Sequence, residues 1–308
     1  MSAPTVWPSI TVVIATVDRP ELLRRAVSSV LDQDYDGEVD VVVVHDGTTP
    51  RAMGLVADGP RRSVRVVAND RTPGLAGARN TGLLAAAGEL VAFCDDDDAW
   101  APTKLREQVR LWREHPDAAA VSTGIVIRTE DGSFERVPPT RTDLAQLLRS
   151  RVLGLHPSAL LVRRADLLGE VGLVDERLPQ SYGEDYDLLL RLAARGDIVT
   201  VPRPLLMVDW ARTSYFDGRW DAISDGLTYL LEKFPAFGED RRGWARIAGQ
   251  IAFAHAARGR RRTALRWALS ALRRDPAQLR AHASLAVAAG LLSPGRLVEQ
   301  AQRRGRGL

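Results

Sequence analysis

Four consecutive aspartates, Asp95–Asp98, follow the apolar run Leu90–Cys94 and precede Trp100 and Pro102. A buried strand that ends in carboxylates places negative charge at the carboxyl edge of a sheet, where open α/β folds bind their ligands. Because adjacent carboxylates repel one another, we expect a cation among them, and a divalent ion that holds a diphosphate fits best. A solvated acidic turn is the alternative for an isolated run, but the flanking strand and the Trp-x-Pro favour a binding site.

Two further strand ends carry polar residues of the kind that bind nucleotides. The first apolar run, Ser9–Ala15, ends at Thr16 and Asp18, and the second, Asp40–His45, ends at Asp46. In a doubly wound sheet these ends lie beside the aspartate run. The Thr16 hydroxyl and the Asp46 carboxylate could then hydrogen-bond a base edge and a ribose. Singly, an aspartate after a strand is a common turn former, but together these residues predict a nucleotide site lined with acids.

An arginine and an acidic pair extend this set. Arg79 lies at the start of a predicted helix, after Gly74 and Gly77, where it could neutralise a phosphate or anchor a carboxylate. Glu184 and Asp185 begin another predicted helix. An acidic pair at a helix start is usually a capping feature that interacts with the helix dipole. Beside the aspartate run, a catalytic role is the better interpretation.

The order of apolar runs predicts the elements that hold these residues. Through the first 100 residues, short β-branched runs alternate with segments of helical spacing, which predicts an α/β fold with a mainly parallel sheet flanked by helices. The stretch 129–142 is polar, and we predict a loop there. From Trp220 onward the spacing is wholly helical. We therefore expect an α/β domain at 1–215 and a helical, Arg-rich region at 216–308.

The composition is that of an ordinary globular protein, with an uneven distribution of charge. The hydrophobic and charged fractions are 45% and 26%, and the single cysteine, Cys94, fits a reducing cytoplasm. No signal peptide or membrane-spanning run is apparent in the sequence. Residues 241–308 hold 15 arginines and two acidic residues, Asp275 and Glu299. This asymmetry indicates either contact with something anionic, such as a membrane surface, or a solvated helical face.

Four motifs, in their order and spacing, make the chain resemble the family 2 glycosyltransferases, which are inverting enzymes of the GT-A fold. The resemblance covers roughly residues 8–215 and rests on SITVVIATVDRPELLRRAVSSVLDQ, VVVVHDGT, GLAGARNTGLLAAAGELVAFCDDDDAWAPTKL and GEDYDLLLRLAARG. It implies the metal-dependent transfer of one sugar from a nucleotide-sugar, with a UDP-sugar favoured, to a hydroxyl acceptor. The acceptor would belong to a cell-surface glycan, a lipid carrier or a natural product.

The resemblance also assigns residues to the nucleotide-sugar. It places the ends of the first two strands around uridine and its ribose, and it places Arg79 near the nucleotide. Arg212 would close on the diphosphate as a lid. The residues expected to contact the nucleotide-sugar are Ala15, Thr16, Asp18, Asp46, Arg79, Asp95, Asp96 and Arg212.

The family's common acidic motif, Asp-x-Asp-Asp-x-Trp, maps onto Asp95, Asp97, Asp98 and Trp100. Asp96 stands at the variable position, so the register of the motif is ambiguous. We assign coordination of Mn²⁺ or Mg²⁺ to Asp97 first and Asp95 second, with Asp96 as a ribose or sugar contact and Asp98 supporting the turn. The ion would stabilise the leaving diphosphate as charge develops on it.

An inverting transfer needs one base that takes the proton of the acceptor hydroxyl. The resemblance places this base at Asp185, with Glu184 binding the acceptor or orienting the base. His156 and Trp100 are expected on the acceptor side of the site.

Other functions fit the residues less well. A nucleotidyltransferase normally has a Gly-rich basic loop after its first strand, and residues 17–20 contain no glycine. A non-catalytic scaffold that binds a partner through its basic tail has no chemical reason to keep both Asp97 and Asp185. No nucleic-acid partner is expected, because the C-terminal arginines lack interleaved aromatics. We therefore expect a cytoplasmic enzyme, with peripheral contact to the inner face of the membrane through the Arg-rich helices left open.

Overall fold

The computed structural model describes residues 6–50, 59–130, 132–209 and 218–303. The chain divides into two units, each continuous in space although not in sequence. The first unit contains Met1–Leu147, Arg151–Glu176 and Glu184–Thr213, and the second contains Leu148–Ser150, Arg177–Gly183 and Ser214–Leu308. The single domain boundary at residue 215 stays a prediction.

The first unit is built on a mixed sheet that has ten strands within the described residues. The strands are β1 (Ile10–Thr16), β2 (Val39–His45), β3 (Arg62–Ala68), β4 (Leu90–Phe93), β5 (Ala99–Trp100), β6 (Ala120–Thr129), β7 (Gly132–Arg136), β8 (Arg141–Thr142), β9 (Leu161–Arg163) and β10 (Ile198–Asp209). Their order is β3-β2-β1-β4-β9-β6-β10-β5, with β7 paired to β6 and β8 paired to β10. The predicted α/β class with a mixed, mainly parallel sheet is confirmed.

The parallel half of the sheet brings the predicted strand ends together. β1 lies between β2 and β4 and runs parallel to both, with Thr16 opposite His45 and Val13 opposite Phe93. The three strands are almost wholly buried, as expected of parallel strands covered by helices on both faces. Because parallel strands end at the same edge, the residues that follow β1, β2 and β4 share one rim of the sheet.

The first unit also contains helices, and helices make up most of the second unit within the described residues. They are α1 (Pro20–Leu31), α2 (Leu75–Ala85), α3 (Lys104–Glu114), α4 (Leu144–Arg149), α5 (Arg164–Leu168), α6 (Glu184–Ala193), α7 (Trp220–Lys233), α8 (Ala236–Glu239), α9 (Arg241–Ala257), α10 (Arg261–Arg274), α11 (Leu279–Ala288) and α12 (Pro294–Arg303). Single 3-10 turns lie at Pro157–Ala159 and Pro179–Ser181.

In the second unit, α9 packs against α10 and α11 through small side chains. The shared contact surface is lined by Ala245, Ala248, Ala252, Ala268, Ala271 and Ala281, all fully buried. Small residues let helix axes approach closely, which compensates for the modest apolar area that each alanine contributes. Within the part of the chain that the structure describes, no helix combines the length and apolar character required to cross a membrane.

The loop predicted at 129–142 is wrong in part, because it contains the short strands β7 and β8. β7 forms an antiparallel hairpin with β6 and places the ring of Phe134 against the core. The strand was missed because most of its residues are exposed and polar, as is typical of an edge strand.

Gly77 in α2 gives the first testable prediction. A Cβ atom at this position would lie 1.9 Å from the carbonyl oxygen of Thr72, which is backbone and cannot move aside cheaply. We expect Gly77→Ala to lower the free energy of unfolding by about 1 to 3 kcal/mol, measured by urea denaturation. The matched control is Gly238→Ala in α8, where nothing lies within 4 Å of the added atom. Equal stability of the two variants would contradict the close packing described for α2.

Candidate functional site

Thr16, at the end of β1, and Asp46, directly after β2, form hydrogen bonds with other residues of the site. The Thr16 hydroxyl donates to Asp96 Oδ2 at 2.6 Å. The Asp46 carboxylate accepts hydrogen bonds from Asn69 Nδ2 at 2.7 Å and from the backbone N–H of Gly74 at 2.8 Å. Asp46 therefore holds the start of α2 against the end of β2. Thr16 similarly fixes one carboxylate of the aspartate run.

Two other predicted nucleotide contacts lie beside Thr16. Ala15 is half-buried at the end of β1, and Asp18 is exposed in the loop that follows. Asp18 has a φ of 45°, in the left-handed region that aspartate adopts more readily than most residues. Arg212 lies outside the described residues, so its predicted role as a lid stays a prediction.

Arg19 is a site residue that the sequence did not single out. Its Nε donates to Asp96 Oδ2 at 3.0 Å and its Nη1 to Asp97 Oδ2 at 2.9 Å, so one guanidinium contacts two neighbouring carboxylates. Asp96 is buried, and burial raises its pKa to about 6 in spite of the hydrogen bond from Thr16 and the charge of Arg19. Arg19 therefore reduces the repulsion within the run without fully offsetting the burial of Asp96.

Arg79 joins the aspartate run to the acidic pair. Its Nη2 donates to Asp95 Oδ1 and its Nη1 to Glu184 Oε1, each at 2.6 Å, and the residue is only 3% exposed. Burial alone would lower the pKa of this guanidinium, but the two carboxylates outweigh burial and raise it. Of the two roles expected for Arg79, the structure shows the anchoring of carboxylates, and contact with a nucleotide phosphate stays a prediction.

The two members of the acidic pair have different environments. Burial raises the pKa of Glu184 to about 7, against the opposing charge of Arg79, and its Oε2 has no hydrogen-bond partner among the described residues. Burial would also raise the pKa of Asp185, but a hydrogen-bonded ion pair with Arg151 holds it below its usual value. Asp185 is thus ionised at neutral pH and is the more accessible of the two carboxylates.

Asp95, Asp98 and His156 form a group that could hold a metal ion, because one potential ligand atom from each lies within 4.8 Å of the others. Asp98 is 1% exposed, and its Oδ2 has no hydrogen-bond partner among the described residues, although His156 Nδ1 is 3.6 Å away. Burial raises the pKa of Asp98 and lowers that of His156. A buried carboxylate oxygen without a donor is the feature that a cation would satisfy, so the donor set fits a divalent ion.

This group differs from the predicted ligand set. Asp95 belongs to it, but Asp97, the first choice from the sequence, lies outside it and is paired with Arg19. His156 lies beside Asp98, and its expected place on the acceptor side stays a prediction. Asp98 also contributes to the turn, because its backbone N–H donates to the Asp95 carbonyl at 3.1 Å.

Trp100 was expected to line the acceptor side, but the structure places its ring in the core with 5% exposure. The ring lies 3.7 Å from the Nζ of Lys104, a fully buried lysine whose pKa is lowered by burial to about 7. Lys104 Nζ also donates to Gln108 Oε1 at 2.9 Å. Trp100 therefore supports the end of the acidic turn and does not offer its face to an acceptor.

Glu176 fixes the segment that carries Arg79. It accepts hydrogen bonds from Asn80 Nδ2 at 2.6 Å, from Arg71 Nε at 2.5 Å and from the backbone N–H of Thr72 at 3.3 Å. Burial is the largest single effect and opposes ionisation, but the hydrogen bonds together outweigh it and lower the pKa of Glu176 to about 2. Asn80 was part of the quoted Gly-rich motif, whereas nothing near Glu176 in sequence indicated its role.

The parallel strands of this sheet end in a shared acidic rim, at the edge where open α/β folds bind their ligands. Residues 11–168 match the family described as Glycosyl transferase family 2, and the chain belongs to that family. This confirms the resemblance carried by the four sequence motifs.

Two curated relatives illustrate the similarity. Succinoglycan biosynthesis protein ExoO of Rhizobium meliloti (strain 1021) is 31% identical over 204 residues, which are 61% of this chain and 57% of the relative. Amylovoran biosynthesis glycosyltransferase AmsE of Erwinia amylovora is 25% identical over 205 residues, which are 65% of this chain and 75% of the relative. The chain thus spans little more than half the length of ExoO.

Two solved structures share the fold. S. aureus TarS 1-349 in complex with UDP-GlcNAc has a TM-score of 0.62 at 17% identity, covering 97% of this chain and 92% of TarS 1-349. Mannosyltransferase PcManGT from Pyrobaculum calidifontis, in complex with GDP-Man and Mn²⁺, has a TM-score of 0.55 at 21% identity, covering 98% and 81%. At these identities the likeness establishes the GT-A fold.

Glu176 gives a prediction of pH dependence. Because its pKa is lower in the folded protein than the ordinary 4.5, its contribution to stability is complete above about pH 4.5 and is lost as the pH falls towards about 2. We expect Glu176→Gln to lower the free energy of unfolding by about 1 to 2 kcal/mol at pH 7, since hydrogen bonds to a charged acceptor are lost. The difference from the parent should shrink in acid, measured by urea denaturation across the pH range.

The control for this prediction is Glu114→Gln, at an exposed position near the end of α3. It should leave the free energy of unfolding unchanged to within about 0.5 kcal/mol at every pH. A Glu176→Gln deficit that stayed constant from pH 7 to pH 3 would contradict the ionised, hydrogen-bonded state of this carboxylate.

Proposed function

We propose that this chain is a metal-dependent, inverting glycosyltransferase that moves one sugar from a nucleotide-sugar, with a UDP-sugar favoured, to a hydroxyl acceptor. The observation that carries the proposal is the single acidic site in which Arg79 connects the aspartate run to Glu184. One part of this site suits a diphosphate and its cation, and the other part suits an attacking hydroxyl. The UDP-GlcNAc named for TarS supports the donor class by analogy.

The donor would lie along the rim formed by the ends of β1, β2 and β4. Thr16, Asp18 and Asp46 occupy the positions predicted to meet uridine and ribose, with Ala15 forming the strand end beneath them. Asp96 belongs to the same rim and accepts a hydrogen bond from Thr16. Ligand binding at the carboxyl ends of parallel strands is the general rule for open α/β sheets.

Asp95, Asp98 and His156 would hold the divalent ion, Mn²⁺ or Mg²⁺, and Asp97 is the competing ligand from the sequence motif. When bound, such an ion stabilises the negative charge of a departing nucleoside diphosphate. The protein's part is to hold the carboxylates close together, which Arg79 and the hydroxyl of Ser158 support. Ser158 Oγ accepts a hydrogen bond from the backbone N–H of Asp95 at 2.9 Å.

Asp185 is the proposed base. Its ionised carboxylate takes the proton of the acceptor hydroxyl while the hydroxyl oxygen forms a bond to the anomeric carbon, and the bond from that carbon to the diphosphate breaks. The Arg151 ion pair orients the carboxylate and keeps it deprotonated. Glu184, held by Arg79, fixes the start of α6 and thereby the position of Asp185.

The acceptor class follows from the relatives by analogy. One relative from Escherichia coli, 24% identical over 145 residues, is named UDP-Glc:alpha-D-GlcNAc-diphosphoundecaprenol beta-1,3-glucosyltransferase WfgD. We favour a lipid-linked saccharide as the acceptor, over a free glycan or a natural product. A cytoplasmic location with peripheral membrane contact remains part of this proposal.

Nucleotide-dependent thermal stabilisation tests the metal site. UDP with Mn²⁺ at about 100 times the dissociation constant should stabilise the chain by about 3 kcal/mol, which raises the melting temperature by several degrees. Asp98→Asn should abolish the part of this shift that needs Mn²⁺, and Asp97→Asn, its matched control, should keep most of it. The reverse result would return the ligand role to Asp97. No response to UDP or GDP with metal would sink the proposed function.

A transfer assay tests the base. Asp185→Asn should lower kcat by at least about 100-fold, because general base catalysis typically contributes that much or more, while UDP still raises the melting temperature. UDP-glucose, UDP-N-acetylglucosamine, UDP-galactose and GDP-mannose are the donors to compare. Asp117→Asn, an exposed aspartate remote in sequence from the site, is the control and should retain full activity. Full activity of Asp185→Asn would refute the assignment.

A further inference from the structure

The outer face of α10 carries an unusual set of exposed side chains. Leu265 and Leu269 are 46% and 41% exposed, although the opposite side of the same helix packs through Ala264, Ala268 and Ala271, which are buried. The helix also has exposed arginines at four positions, namely Arg261, Arg262, Arg266 and Arg273. A large exposed apolar residue alone needs no explanation, but a pair on one helix face among cations does.

These six side chains lie on one side of the helix. At about 100° per residue they fall within an arc of about 140°, with the two leucines inside it and arginines at both limits. No acidic residue occurs between Arg261 and Arg274. The outer face of α10 is therefore cationic at its borders and apolar at its centre, and no described residue forms an ion pair with its four arginines.

We infer that the outer face of α10 (Arg261, Arg262, Leu265, Arg266, Leu269 and Arg273) binds the surface of an anionic lipid bilayer. The leucines would enter the boundary between headgroups and acyl chains, and the arginines would contact lipid phosphates. Arginine stems are long enough to lie along the apolar boundary while the guanidinium stays at the headgroups. The complementary partner of such a surface is broad and negatively charged, as a bilayer of anionic lipid is.

Two other partners fit this face less well. The centre of a protein–protein interface is usually depleted in charge and enriched in aromatic residues, whereas the six side chains include four arginines and no aromatic ring. Trp267, the aromatic residue of α10, is half-buried and packs against the alanine contact surface. Binding to single-stranded nucleic acid would require exposed aromatics for base stacking, and the same absence on this face counts against it.

The inference rests on the peripheral membrane contact in the proposed function and assigns it to one surface, but its test measures lipid binding and can fail while glycosyl transfer is retained. The test is sedimentation of the full chain with vesicles of phosphatidylcholine containing about one third phosphatidylglycerol, compared with vesicles of pure phosphatidylcholine. An arginine near an anionic surface contributes about five-fold in affinity. We therefore expect Arg262→Gln/Arg266→Gln to weaken binding by about 25-fold at low salt. Leu265→Gln/Leu269→Gln should weaken it by about ten-fold or more, because apolar area is no longer buried.

The control variant is Arg110→Gln/Arg128→Gln, which removes the same charge from exposed positions on α3 and β6. It should bind as the parent does, and all variants should keep the parent's melting temperature because the changed side chains are exposed. Absence of binding to anionic vesicles would overturn the inference. Equal weakening by the control would also overturn it, because that result indicates diffuse attraction. Weaker binding of the arginine variant with unchanged binding of the leucine variant would overturn it too, because that result indicates electrostatic contact without insertion of this face. A leucine variant that changes the oligomeric state but not vesicle binding would assign the face to a second copy of the chain.

Discussion

The arrangement of the site depends on one buried guanidinium. Arg79 contacts Asp95 and Glu184, which are separated by almost 90 positions in the sequence and belong to different elements. A buried charge is costly unless it is paired and hydrogen-bonded, so Arg79 requires both carboxylates to be present and ionised or strongly polarised. Conversely, the two acids approach each other because Arg79 lies between them. Arginine suits this role better than lysine, since its fork reaches two carboxylates at once.

Three local constraints keep Arg79 in that position. The parallel pairing of β1 with β4 places the aspartate run beside the end of β1, and Asp46 fixes the beginning of α2 through the N–H of Gly74. Asn80 completes the attachment by hydrogen-bonding the backbone at Val174 with both its donor and its acceptor. The Gly-rich segment therefore serves mainly to pack α2 closely and to aim one side chain. This explains why the Gly-rich segment holds an arginine between two acids.

The sheet, the residues at the strand ends and the family could be predicted from the sequence, because each depends on a local pattern of residues. Apolar runs identify buried strands, and parallel strands bring Thr16, Asp46 and Asp95 to one rim whatever the details of packing. The separate roles of the four aspartates could not be predicted from the sequence, because each role depends on the direction in which that side chain points. Arg19 and Arg151 were missed for the same reason: an arginine in a loop is ordinarily solvated, and only the fold shows which carboxylate it meets. The buried ring of Trp100 likewise depends on β5 joining the sheet.

The distribution of partners explains why a run of like charges is tolerated. Arg19 pairs with Asp96 and Asp97, Arg79 with Asp95, and Arg151 with Asp185, so most of the negative charge at the rim has a cation from the chain itself. Asp98 has no arginine partner among the described residues, and its buried Oδ2 lacks a hydrogen-bond donor. Among the four aspartates of the run, Asp98 is therefore the one without an arginine partner within the described residues, and it lies next to His156. The cation that we propose would offset a larger desolvation cost at Asp98 than at the more exposed Asp97, because an uncompensated charge is most costly where burial is deepest.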